Sequence, residues 1–321
     1  MKFLRAFSLL SITAFSANSL AAHHQDTEKH ADKHQKTVLI TGATSGLGLK
    51  MTETLSKHGF VVYAGARKEA DMKRLEAMEN VEAVKIDVTV QSDIDQAVKT
   101  IAAKGRGLFG LMNNAGISIF GSLLEVDVSE LEYLMNVNVY GPYRVTQAFA
   151  PMIIESKGRI ASTGSIAGIR ATGFFGQYAM SKHAIEAYTE ALADEMASFG
   201  VTVGVIEPGN YASQIGNTAR KRILDGDSWP ADTQFPQRRA GTLAALAKVA
   251  EGKDPQDVAD AVLHFMSDET PKLRYMVTPN VNQATAIIRA MLKKTLQLNQ
   301  DQPYEFSNED LIKMLQEEIA K

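Results

Sequence analysis

The 321-residue chain predicts one doubly wound α/β domain built on a parallel sheet. Three observations predict it. Short apolar runs alternate with helical stretches along most of the chain. Those runs are about four to six residues long, as buried parallel strands are, and too short for helices. The first run passes through a glycine-rich turn directly into a helix. Composition agrees: 45% hydrophobic and 22% charged is ordinary for a globular chain, and this length buries a full core.

The first strand is Val38–Ile40, ending at Thr41-Gly42, with a helix from Leu47 to His58 behind it. Phe60–Ala64 is a second apolar run, rich in β-formers. Further strands are expected at Ala83–Ile86, Gly110–Met112, Arg159–Ser162, Val201–Ile206 and Arg274–Val277. Helices are expected at Ser92–Ala103, Glu130–Met135, Gly141–Glu155, Gln177–Phe199 and Pro255–Ser267. The crossovers between strands should be right-handed. Asn210 to Gly252 breaks the rhythm, with D-G-D-S-W-P at 225–230 and the pair Arg238-Arg239. A long insertion past a strand's C-terminal end is usually functional or mobile. The domain is expected over 37–280, followed by a helical extension over 281–321. In that extension Ser307 and Asp310 resemble a capping box, and Leu311, Ile312, Leu315 and Ile319 form one helical stripe. Packing against the domain is the plainer reading of that stripe; membrane or dimer contact is the alternative.

Charge and composition exclude several functions. The net charge of −3 offers no basic excess for a nucleic acid. With no cysteine there is no disulfide, thiolate nucleophile, Cys-ligated metal or Cys-linked lipid anchor. The N-terminus differs from the rest. Met1–Ala6 carries Lys2 and Arg5, Phe7–Phe15 is mostly apolar, and Ser19-Leu20-Ala21 offers small residues at the positions a signal peptidase reads. This is the order of a secretory signal over residues 1–22, cleaved after Ala21 or Ala22. The apolar stretch is short for a membrane span, though a retained anchor is the alternative. An exported or periplasmic protein is therefore expected, with a cytoplasmic or membrane-associated one as the alternative, and membrane contact only through this segment. This N-terminal segment carries no twin arginine, so an export route for folded protein lacks its usual mark. His23–Lys36 is polar and mixed in charge; it reads as a solvated linker. His23, His24, His30 and His34 lie in it. His30 and His34 would share a helix face, but the segment reads as linker, and no metal is expected.

The turn T-G-A-T-S-G-L-G at 41–48 spaces Gly42, Gly46 and Gly48 as G-x-x-x-G-x-G. Missing Cβ atoms let a backbone turn tightly and approach a pyrophosphate. Free N–H groups at the helix start, around Thr44, Ser45 and Leu47, then face the phosphates, aided by the helix dipole. A dinucleotide is the expected ligand. About 20 residues on, a carboxylate at the end of the second strand would bind a ribose 2′-OH and favour NAD. The chain has Ala66 there, followed by Arg67. A guanidinium pairs bidentately with a 2′-phosphate, so NADP is preferred over NAD. The alternative is a solvated basic turn, with Glu69 or Asp71 serving the ribose.

Tyr178 and Lys182 stand four apart at the start of a helical stretch and so share a face. A free tyrosine has a pKa of about 10. A nearby ammonium favours phenolate, which would suit proton exchange with an alcohol near neutral pH. Ser165, thirteen residues earlier and just past a strand, carries a hydroxyl that would hold a substrate oxygen. Alone, Y-x-x-x-K is a common surface pairing; the glycine turn is what gives it meaning.

From Thr37 to about Leu263 the chain resembles a short-chain dehydrogenase/reductase of the Tyr-x-x-x-Lys type. The resemblance rests on the 41–48 turn, Asp87-Val88, N-N-A-G at 113–116, Asn138 in V-N-V-Y-G, Ser165 in G-S-I-A-G, Tyr178, Lys182 and P-G at 208–209. It implies a Rossmann fold and hydride exchange with NAD(P). It further implies Tyr178 as general acid/base, Lys182 as the residue that tunes it and holds the nicotinamide ribose, Ser165 as donor to the substrate oxygen, and Asn138 as keeper of a proton-relay water. By the same resemblance Asp87 contacts adenine, and Asn114, Ala115 and Gly116 lie beside the adenosine ribose. Pro208 and Gly209 flank the nicotinamide, and Ser213 sits where a threonine often meets its carboxamide. V-Y-A-G-A-R and Y-A-M-S-K-H-A-I-E-A resemble steroid- and retinol-dehydrogenase-like members, which act on lipophilic alcohols or ketones. The insertion 210–252 falls where the family places its substrate lid, and holds Tyr211, Ile215, Ile223, Leu224, Trp229 and Phe235 among many charges. A homodimer or homotetramer is implied. An epimerase or dehydratase on the same scaffold, or a non-catalytic dinucleotide-binding protein, are the competing readings. The export signal is in tension with a cytosolic cofactor. A retained anchor, an external cofactor supply or a mis-assigned start would each relieve it.

Overall fold

A computed structural model describes residues 35–320, and a seven-stranded, all-parallel sheet runs through its centre. The strands are β1 (Thr37–Ile40), β2 (Val61–Ala66), β3 (Val81–Lys85), β4 (Gly110–Asn113), β5 (Arg159–Thr163), β6 (Thr202–Pro208) and β7 (Arg274–Val277). Their order is β3-β2-β1-β4-β5-β6-β7, the doubly wound arrangement. Pairing is continuous: Leu39 sits between Tyr63 and Leu111, and Met112 pairs with Ala161.

The faces of β1 show why the apolar runs are continuous. Val38 and Ile40 face one core, shared with Met51 and Leu55 and with Val258, Val262 and Phe265. Leu39 faces the other, shared with Ile94, Ile101, Val145, Phe149 and Ile153. Successive strand side chains alternate between faces; with helices on both sides, every position is apolar. The first layer is α1 (Gly46–Lys57), α2 (Glu69–Glu76) and α9 (Gln256–Ser267). The second is α3 (Gln91–Ala103), α5 (Gly141–Glu155) and α6 (Gly176–Ala197). Between β4 and α5 lie α4 (Val128–Met135) and a single π-helical turn, Asn136–Tyr140.

The irregular stretch after β6 is largely helical: α7 (Ile215–Asp225) and α8 (Pro236–Leu246) pack around Trp229, Ile223 and Leu246 in a small core of their own. Gly226, at φ +84°, ends α7 in the left-handed conformation that favours glycine. Beyond β7 come α10 (Val281–Asn299) and α11 (Asn308–Ile319). Ser307 caps α11, accepting from the Asp310 amide at 3.1 Å. No side chain of α11 is buried, so its apolar stripe does not pack into the domain as expected. No described helix is long and apolar enough to cross a membrane. The expected signal, and His23, His24, His30 and His34 of the linker, lie outside the described residues.

Candidate active site

The strand order reverses between β1 and β4, and a cleft of about 310 Å³ opens at that edge. The glycine turn forms its floor. Gly42 and Gly46 have φ of +65° and +53°, which glycine adopts at little cost. Gly48 is required for space: a Cβ there would stand 2.2 Å from the Gly42 carbonyl oxygen. Ser45 begins α1 without a side-chain cap, leaving the first amides of the helix free to bind an anion.

A web around Thr41 and Asn114 holds this turn to the neighbouring strand ends. The Thr41 hydroxyl accepts from the amides of Asn114 and Ala115, both at 3.0 Å. The Asn114 amide group donates to the carbonyls of Thr41 and Gly42, and its oxygen accepts from Thr163. Arg74 of α2 reaches the Thr44 carbonyl at 2.6 Å. Thr41, Thr163 and Arg74 were missed in the sequence. A threonine ending a strand carries no distinctive pattern, and Arg74 stands on a helix that the periodicity did not predict.

Thirteen expected site residues line the cleft: Gly42, Thr44, Ser45, Gly46, Leu47, Arg67, Asp87, Asn114, Ala115, Gly116, Tyr178, Lys182 and Ser213. Arg67 is exposed, its guanidinium 3.5 Å from the Asp87 carboxylate. Burial works to raise Asp87, but hydrogen bonds from Thr89 and the charge of Arg67 prevail and hold it below the usual range.

Asn138 and Ser165 lie behind the lining. The π-turn aims Asn138 inward, where its oxygen accepts from the Ile117 amide at 2.9 Å and its amide donates to the Ile117 carbonyl and to Ser181. Ser165 follows β5, accepts from the Ala167 amide at 3.1 Å and lies near the Tyr178 phenol. Pro208 ends β6 and Gly209 follows it, both outside the lining residues. Gly209 is pinned by the C-terminal region, since a Cβ there would stand 1.9 Å from the Gln283 oxygen.

One electrostatic expectation needs correcting. Burial pushes the Tyr178 phenol up to about 12, and only the Ser165 hydroxyl opposes the rise. Lys182 stands close by. Its ammonium stands 5.5 Å from the phenol ring centre and donates to the Thr163 carbonyl at 2.7 Å. Burial brings Lys182 itself down to about 8, against the pull of Glu186 one turn further along α6. In so enclosed a site desolvation outweighs the pairing charge. Behind Lys182, Arg274 bridges Glu186, Glu190 and Glu207. Burial and the neighbouring Glu186 push Glu207 up to about 8.

The cleft fits an extended dinucleotide: a glycine cradle with free helix amides at one end, and a half-buried phenol with a buried ammonium and hydroxyl at the other. Comparisons with known proteins agree. A family profile described as short chain dehydrogenase matches residues 36–223. An uncharacterized oxidoreductase, YbbO of Escherichia coli K12, is 33% identical over 84% of this chain and 95% of its own. The mitochondrial D-beta-hydroxybutyrate dehydrogenase of Bos taurus is 33% identical over 75% of this chain and 76% of its own. Among solved structures, actinorhodin polyketide ketoreductase with NADPH is 25% identical, with a TM-score of 0.64, over 78% of this chain and 97% of that one. A Burkholderia phymatum short chain dehydrogenase/reductase in complex with NAD shares the fold, with a TM-score of 0.70 at 23% identity, over 85% of this chain and 98% of that one. The chain belongs to the short chain dehydrogenase family and is an NAD(P)-linked oxidoreductase that interconverts an alcohol and a carbonyl.

Proposed function

We propose that the enzyme reduces a lipophilic ketone or aldehyde, or oxidises the matching alcohol, with NADP preferred and Tyr178 as general acid/base. The observation that carries this reading is that Tyr178 and Lys182 line one continuous cleft with the glycine turn. A nicotinamide dinucleotide, when bound, supplies or receives the hydride. The chain's own residues do the rest. Gly42, Gly46 and the first amides of α1 hold the phosphates. Arg67 pairs with a 2′-phosphate. Tyr178 gives its proton to the substrate oxygen in reduction and takes it back in oxidation. Ser165 holds that same oxygen. Lys182, kept in place by the Thr163 carbonyl, supplies positive charge beside the phenol. Asn138 fixes the Ile117 peptide and, through Ser181, the turn of α6 that carries Tyr178. Similarity to retinol dehydrogenase 16 of Mus musculus, 30% identical over 81% of this chain, supports a lipophilic substrate.

The test is Tyr178→Phe, assayed with lipophilic ketones and with NADPH and NADH in parallel. Turnover should fall by about 10²- to 10⁴-fold while dinucleotide affinity stays unchanged. Wild-type rates in the mutant would refute the acid/base role, and a strong preference for NADH would refute the role of Arg67. A homodimer or homotetramer is part of this proposal, to be read by sedimentation. So is export, to be read by N-terminal sequencing of the mature protein together with cell fractionation.

A further inference from the structure

Two consecutive phenylalanines stand between the lid and the phenol, and they face opposite ways. Phe175 stacks on Tyr178, ring centres 4.5 Å apart and planes within 18°. Its other face is covered by Phe120, from the loop after β4, at 4.1 Å and 15°. Phe174 turns instead into the lid core. It lies parallel to Trp229 at 5.3 Å and edge-on to Phe235 at 5.1 Å, with the Arg238 guanidinium over its ring. The reversal of direction is made by the backbone: Phe174 has φ +63°, uncommon for a bulky side chain and costly without compensation. The compensation is visible in its neighbours. The Phe174 carbonyl accepts from the Gly121 amide at 3.0 Å. Trp229, fully buried, donates to Thr233, whose hydroxyl donates to Glu125, and Glu125 also accepts from the Gln234 amide at 2.8 Å.

We propose that the Phe174-Phe175 pair couples the docked lid to the catalytic phenol. Trp229 holds Phe174 in its left-handed conformation, and that conformation sets the Phe175 ring against Tyr178, so Phe175 is a positioning residue for the reaction. This rests on the role given to Tyr178 above.

The experiment uses the full chain with a lipophilic ketone that it reduces, under saturating NADPH. Phe175→Leu should lower kcat about fivefold to tenfold, as expected for loss of a ring stack, with the dinucleotide Kd unchanged. Phe175→Tyr, which keeps the ring, should restore kcat. Trp229→Leu should also lower kcat, and the double variant with Phe175→Leu should be no worse than the more impaired single one. Because Trp229 is the sole tryptophan, its emission reports lid docking and should stay buried in Phe175→Leu. Additive losses, or an unchanged kcat in Phe175→Leu, would overturn the coupling. Tyr178→Phe separates the two levels: if it too keeps its turnover, the acid/base assignment is at fault; if it is dead while Phe175→Leu is normal, only the coupling is.

Discussion

The cradle for the dinucleotide and the lid over the substrate end are built on opposite principles. The cradle is made of backbone: Gly42, Gly46 and Gly48 remove side chains, and the Thr41 hydroxyl and Asn114 amide tie peptide groups together. Backbone geometry is indifferent to most substitutions elsewhere, which suits a ligand shared by many enzymes. The lid is made of side chains. Trp229 stacks on Phe174, Phe235 meets Phe174 edge-on, and few backbone hydrogen bonds tie 210–252 to the sheet. Such a region changes its pocket through single substitutions, while the cradle tolerates almost none.

Four substitutions sharpen or break this contrast. The largest effect is expected from Trp229→Ala, which empties a fully buried site and should cost the lid core about 3–5 kcal/mol. Substrate KM should rise while dinucleotide affinity holds; a parallel loss of both would mean that lid and cradle are one unit. Next is Gly48→Ala, whose methyl meets the Gly42 carbonyl. Overpacking of this kind costs about 1–3 kcal/mol, and titration should show weakened dinucleotide binding with no change in which ketones are accepted. Arg67→Ala should shift the preference for NADPH over NADH by about tenfold, the worth of an exposed charged hydrogen bond, read as the ratio of kcat/KM values. The smallest effect belongs to Glu207→Gln, beneath both regions. With its folded value near 8 and an ordinary value of 4.5, Glu207 keeps a proton that the unfolded chain has lost between those pH values. Its contribution to stability therefore falls as pH rises from 4.5 to 8. The glutamine should narrow the difference in Tm between pH 5 and pH 8, measured by thermal unfolding.

The same contrast explains what the sequence revealed. All seven strands were legible because two-sided burial makes the central ones nearly continuous apolar runs and even the edge strands keep short ones, and the glycine turn because its residues answer to backbone space alone. Helix α2 was not, since only Leu75 of its eight residues is buried and the rest read as polar coil. Helices α7 and α8 were hidden for a related reason: their apolar side chains turn toward each other and Trp229, not toward the sheet, so no stripe faces a predicted core. Phe174 and Phe175 sit between Gly173 and Gly176, where a paired aromatic suggests nothing until the lid is in place. The electrostatics of Tyr178 misled because spacing along a helix gives distance but not depth of burial, and burial decided the sign.

Gln283 carries a last implication. From the first turn of α10 its side-chain oxygen accepts from the Asn210 amide at 3.0 Å, and it occupies the space that a Cβ on Gly209 would need. The hinge from which residues 210–252 leave β6 is thus clamped by a helix some seventy positions further along the chain. Shortening the protein before residue 283 should unlatch that hinge without touching a single residue of the cleft lining, making substrate selectivity answerable to a part of the molecule that no substrate meets.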